Sequence, residues 1–271
     1  MLELSALSVA AMAVAVFALS GWLLSLRLGD VSIVDSMWAL FFLLTAVSFA
    51  AALDAFSFDG RAALALVLVA IWALRLSGYI TWRNWGEGED SRYQEIRERN
   101  EPHFKFKSLY LIFGLQGLLA LIIALPLLVA IQSDSSLGWL DYAGVGLWAV
   151  GMMFEAGGDW QLARFKADPD NRGKVLDSGL WSLTRHPNYF GDFCVWWGFF
   201  LLAASAGGWW TVISPLLMSF MLLKVSGVAL LEKDIGNRRP KYAQYVKRTN
   251  AFFPGPQSDI SDSEDDKGEK G

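Results

Sequence analysis

The sequence predicts an all-α integral membrane protein with about seven transmembrane helices, the N-terminus outside and the C-terminus cytoplasmic. Three observations carry this. Hydrophobic residues make up 54% of the 271, and the mean hydropathy is +0.34. Apolar stretches long enough to cross a bilayer recur at about 4–26, 32–53, 62–82, 108–131, 140–163, 189–206 and 209–231. Lys and Arg collect in 83–107, in 164–188 and after Leu231, whereas the connectors 54–61, 132–139 and 207–208 hold only Arg61. With seven spans the three basic segments fall on one side, which the positive-inside rule makes the cytoplasm. The net charge of −4 decides little, because its distribution carries the information.

Span one is too long, and too poor in N-terminal Lys and Arg, for a cleaved signal peptide. Asp35 lies four residues into span two, in Ser-Ile-Val-Asp-Ser-Met-Trp. Span three carries Arg75, with Tyr79 one turn later on the same face. In span five, Glu155 and Asp159 repeat that spacing within Glu-Ala-Gly-Gly-Asp-Trp, whose glycines allow close approach of a ligand or a neighbouring helix. Span six follows Arg185-His186-Pro187. Pro suits the first helical position, and free N–H groups beside cations make an anion site. Asn188, Tyr189 and Asp192 carry polar groups on into that apolar stretch, and Glu232 ends span seven. Cys194, the single cysteine, sits in an apolar segment and reads as a buried inert thiol. Residues 1–254 are expected to form one transmembrane domain. Residues 255–271 have almost nothing apolar and read as a disordered acidic tail.

Ionisable groups are costly in lipid and tend to face a cavity. Interhelical hydrogen bonds can account for Asp35 and Glu232 singly, but account poorly for Glu155 together with Asp159. Several function classes find no signature. His103 and His186 lack metal-ligand spacing, so no metal is expected. There is no Gly-x-Ser-x-Gly, and the one cysteine has no nearby histidine. Rossmann and Walker glycine loops are missing, so a nucleotide would have to be held by the membrane helices and their loops. No internal repeat supports a transporter architecture. No nucleic-acid partner is expected either, since topology explains the basic residues.

Gly-Leu-Trp-Ser-Leu-Thr-Arg-His-Pro-Asn-Tyr-Phe-Gly-Asp at 179–192, then Leu-Glu-Lys, then the run from Pro240 to Pro254, resembles the C-terminal half of the steroid 5α-reductase family, in particular its bacterial branch. The Arg-His-Pro-x-Tyr pattern is shared with isoprenylcysteine carboxyl methyltransferases and membrane sterol reductases. The resemblance is good from about Gly151 to Pro254 and weaker before it.

The resemblance implies a seven-helix bundle in the bacterial inner membrane that holds NADPH through its later helices and loops. Carried over residue by residue, that role falls to Glu155, Asp159, Arg164, Arg172, Lys174, Arg185, His186, Asn188, Tyr189, Asp192, Glu232, Tyr242 and Tyr245. Their chemistry agrees: amides and carboxylates suit carboxamide and ribose groups, and Arg and Lys suit phosphates. The family places a Gln-Glu pair on its second helix and a Tyr on its third. Here Val34-Asp35 stands where the pair would be, and Tyr79 is the expected tyrosine. The implied reaction is reduction of the C=C bond of an enone lipid, a Δ4-3-ketosteroid or sterol-like substrate entering from the bilayer. In it a protonated Asp35 and the Tyr79 hydroxyl stabilise the enolate. A monomer is expected. The alternative is an S-adenosylmethionine-dependent membrane methyltransferase, which explains Arg185, His186, Tyr189 and Glu232 equally well.

Overall fold

A computed structural model of the chain describes residues 3–55, 60–225 and 240–258. Among them all regular structure is helical and no strand occurs. The helices are α1 (Leu4–Leu28), α2 (Ile33–Ala52), α3 (Gly60–Asn84), α4 (Ser91–Asn100), α5 (Phe104–Ile123), α6 (Leu125–Ile131), α7 (Trp139–Ala167), α8 (Leu180–Leu183), α9 (Pro187–Ser205), α10 (Trp209–Val225) and α11 (Pro240–Arg248).

Four of these, α1, α2, α3 and α5, are long and apolar enough to cross a membrane. The other three expected spans coincide with α7, α9 and α10. They are helical but more polar or shorter, because Asp141, Glu155 and Asp159 interrupt α7, and α10 is described only as far as Val225. Span four, expected as one helix over 108–131, breaks at Ala124. Pro126 has no N–H for the next helical bond, and its ring crowds the preceding turn, so α6 starts afresh with that proline in its first turn. The tail expected from 255 onward falls outside the described residues after Ser258, as do Glu232 and the end of span seven.

The chain divides into two compact units: Met1–Val145 with Gly198–Pro215, and Gly146–Trp197 with Leu216–Gly271. In the first, α2 packs on both α1 and α3, and α5 closes on α1 and α2. Phe41, Phe42, Phe49, Trp72 and Phe113 are fully buried there. Phe42 meets Trp72 edge to face at 5.5 Å, and Phe17 meets Phe41 at 5.1 Å. In lipid, close packing rather than expulsion of water drives such contacts. Gly117 serves that packing: a Cβ there would lie 3.0 Å from Val14 Cγ1.

In the second unit two glycines set the spacing of α7 and α9. A Cβ on Gly151 would sit 2.6 Å from the Gly191 carbonyl oxygen, and one on Gly191 would collide with the backbone at Glu155. The turn before α9 is tied to the C-terminal strap. Arg185 N–H donates to the Asn250 carbonyl at 2.9 Å, Thr184 Oγ1 to the Phe252 carbonyl at 2.8 Å, and Gly255 N–H to the Leu183 carbonyl at 3.0 Å. Cys194 is buried on α9.

Candidate functional site

In the first unit, the segment between α3 and α5 folds onto the α1–α2 turn instead of hanging in solvent. Asp90 caps α4, accepting from Arg92 N–H at 2.9 Å, and α4 turns Tyr93 inward. Glu89 accepts from Val31 N–H at 3.0 Å and is clamped by Arg97 at 2.6 and 2.9 Å. Arg97 in turn lies 4.5 Å over the Phe104 ring. Burial works against the charges of Glu89 and Asp90. The hydrogen bonds from Arg97 and Arg92 outweigh it and hold both carboxyls below their ordinary pKa.

Asp35 is the centre of this arrangement. One carboxylate oxygen accepts from the Tyr93 hydroxyl at 2.5 Å and the other from Arg92 Nη2 at 2.8 Å. Gln116 on α5 donates from Nε2 to the Tyr93 oxygen at 3.4 Å. Burial first, and the Asp35 charge second, push the Tyr93 pKa well above the phenol range, so the hydroxyl keeps its proton. Sequence reading missed Tyr93 and Gln116. Tyr93 had a signal, because it and Ile96 are the apolar pair at helical spacing in an otherwise polar run that opens on an Asp cap. The tyrosine hydroxyl that Asp35 accepts is thus Tyr93's, from α4. Tyr79 is half-buried on α3, its ring 5.9 Å from Trp82, with the Arg83 guanidinium 5.9 Å over it. Arg92 and Tyr93 both donate to Asp35, so in this arrangement it accepts.

The second unit gathers most of the residues expected around a cofactor. The Gly151–Gly191 approach brings the buried acids Glu155 and Asp159 of α7 against the start of α9, where Asp192 is also buried. Asn188 Nδ2 donates to Asp159 Oδ1 at 3.2 Å. The His186 and Tyr189 rings stack at 5.8 Å. Arg185 donates from Nη1 to the Val246 carbonyl at 2.9 Å, and Tyr245 donates to the Trp181 carbonyl at 2.6 Å, with the Tyr242 ring 5.7 Å away. Burial, then Tyr242, raises the Tyr245 pKa above the phenol range, so this hydroxyl also stays a donor. Arg164 is exposed and lies 5.6 Å over the Trp160 ring, while Arg172 and Lys174 are exposed on the loop after α7. A cavity of about 440 Å³ opens there, lined by Lys166, Asp168, Asn171 and Arg172 among others. Among the described residues no group of three or more His, Cys, Asp or Glu is arranged to hold a metal ion.

A further ion pair was not anticipated. Arg61, taken as a connector residue, sits in the first turn of α3 and grips Asp141 of α7 in a bidentate pair at 2.7 and 2.9 Å. Ser133, Ser135, Ser136 and Ser205 supply its remaining acceptors, and Gly138 N–H and Ser205 Oγ donate to Asp141. The acid in the first turn of span five was the available signal.

A family model described as "Protein of unknown function (DUF1295)" matches residues 21–249. No curated protein and no solved structure matches the chain. Because the family match runs over most of its length, the chain belongs to the family of unknown function DUF1295.

Proposed function

We propose that this protein is a membrane-embedded, NADPH-dependent reductase of the C=C bond of an enone lipid, of the 3-oxo-5α-steroid 4-dehydrogenase type. The observation that carries the reading is the Asp35–Tyr93–Gln116 group: a buried hydroxyl that keeps its proton, aligned by a carboxylate on one side and an amide on the other. In this reading the chain crosses the bacterial inner membrane about seven times, with its C-terminus cytoplasmic. The apolar helix α10 and the apolar run of α7 from Tyr142 to Phe154, with that of α9 after Asp192, support the three spans beyond α1, α2, α3 and α5.

The residues of the second unit fit a dinucleotide. Asn188, Asp159 and Glu155 can meet carboxamide and ribose groups, and Arg172 and Lys166 flank a cavity that can take phosphate. From Glu155 to Phe165 is about 15 Å along α7, a span suited to an extended dinucleotide. Bound NADPH would supply hydride to the β-carbon of the enone. The chain's own part is to receive the charge that develops on the carbonyl oxygen. Tyr93 turns its proton from Asp35 to that oxygen, while Arg92 keeps the Asp35 carboxylate satisfied. A proton added to the α-carbon completes the saturated ketone.

A second reading, an S-adenosylmethionine-dependent methyltransferase, is favoured by one observation. Glu155, Asp159 and Asp192 are three buried acids, which suit a sulfonium and an ammonium better than a polyanion.

The direct test is NADPH-dependent conversion of progesterone or testosterone by the purified protein, followed by chromatography. Tyr93→Phe should lower turnover by about 10²–10³, the usual cost of one oxyanion donor. Asp35→Asn, which can still hydrogen bond, should retain more activity than Asp35→Ala. Tyr79→Phe separates the two tyrosines. If it alone abolishes turnover and Tyr93→Phe does not, the donor is on α3.

A further inference from the structure

Gln116 has a buried side-chain oxygen that nothing among the described residues satisfies. The orientation of its amide follows from its neighbour. A phenol has one proton, and Tyr93 gives that proton to Asp35, so the Tyr93 oxygen can only accept from Gln116. The NH₂ group must therefore face Tyr93, and the carbonyl oxygen must face away from it. Turning the amide over would set two acceptors against each other, so the unsatisfied acceptor is built into the arrangement. A buried acceptor without a donor is costly, and such a group marks a place where a ligand can complete the bonding.

We propose that Gln116 selects the substrate by accepting a hydrogen bond from a hydroxyl on the carbon next to the ligand's carbonyl. The class of substrate is then a lipid with a vicinal hydroxy-enone head, not a plain enone. The inference rests on the reductase reading, in which the ligand carbonyl meets Tyr93. Gln116 is bonded to the same phenol that meets the ligand carbonyl, so the ligand group nearest its amide is the substituent beside that carbonyl, and an acceptor such as Oε1 calls for a hydroxyl there. A plain enone leaves that oxygen buried and unsatisfied. Sites that hold a buried acceptor for a ligand hydroxyl reject the analogue lacking it far better than a hydrophobic pocket rejects a missing methylene.

The experiment uses testosterone and 4-hydroxytestosterone, which differ by this one hydroxyl, with the full-length protein in detergent and NADPH present. Equilibrium binding and reduction are measured for both. The wild type should bind the 4-hydroxy steroid about 10- to 100-fold more tightly, and in Gln116→Leu that ratio should fall to about one. Gln116→Met, unbranched and closer in length, replaces the leucine variant if it does not fold. The ratio cancels any effect of losing the N–H at Tyr93, since both ligands share it. Equal binding of the two steroids by the wild type, with both reduced, overturns the role of Gln116 and leaves the reductase standing. A preference that survives unchanged in Gln116→Leu and Gln116→Met also overturns it. If neither steroid is bound or reduced, the reductase reading fails and takes this inference with it.

Discussion

Two Arg–Asp pairs sit at opposite ends of the antiparallel helices α2 and α3, and they are built to different specifications. Arg61 and Asp141 have side chains 0% and 1% exposed, and serine hydroxyls and backbone groups take up their remaining hydrogen-bonding capacity. Arg92 and Asp35 are 40% and 17% exposed, share Arg92 with Asp90, and stand beside a tyrosine and a glutamine with bonding capacity left over. A saturated pair has nothing to offer a ligand and serves the fold. An incompletely used one can exchange partners. The chemistry of the pair alone does not distinguish the two roles; the accounting of donors and acceptors around it does.

The largest effect expected from this contrast is on stability at the saturated pair. Asp141→Ala leaves a buried guanidinium without its counter-charge and should cost about 3–5 kcal/mol. Asp35→Ala, at the more exposed pair, strands the Tyr93 hydroxyl but no fully buried charge and should cost less, about 1–3 kcal/mol. Thermal unfolding in one detergent, followed by tryptophan fluorescence, compares the two directly. Similar shifts in both variants would erase the structural half of the contrast.

A smaller, local effect concerns pH. Glu89 and Asp90 have lowered pKa values when folded, so their contribution is fully present above the ordinary carboxylate range, near pH 4, and is lost as pH falls through the lower folded values. Amide exchange in α4 should therefore stay slow from neutral pH down to about pH 4, relative to its intrinsic rate, and loosen only below it. Loosening between pH 6 and 7 would mean that another group holds the segment.

Much of the membrane architecture was legible because lipid leaves few options. Apolar runs of the right length marked α1, α2 and α3 to within a few residues, the run at 108–131 marked α5 but ran on through α6, and Pro187 marked the start of α9. The break at Pro126 was equally visible in the sequence but is easily overridden by an unbroken apolar run. Helical spacing put Glu155 and Asp159 on one face, since side chains four residues apart share it, while their place beside Asn188 and Asp192 came from the resemblance and not from spacing. Tyr93 and Gln116 could not be placed that way. They reach Asp35 from α4 and α5, 58 residues along the chain in the case of Tyr93. A polar connector gives little sign in its composition that it folds back against the helices. Arg61 and Asp141, 80 residues apart, were hidden for the same reason.

The reductase reading stands or falls on the cofactor. Thermal stabilisation of the purified protein by NADP⁺ and by S-adenosylhomocysteine, titrated side by side in wild type and Asn188→Ala, is the direct measurement. Binding of a ligand to the folded state raises its stability in proportion to the logarithm of concentration over Kd. NADP⁺ should stabilise the wild type more than S-adenosylhomocysteine does, and Asn188→Ala should weaken NADP⁺ by about 1–3 kcal/mol. Greater stabilisation by S-adenosylhomocysteine, with no response to NADP⁺, would contradict the reductase and make the methyltransferase the correct reading.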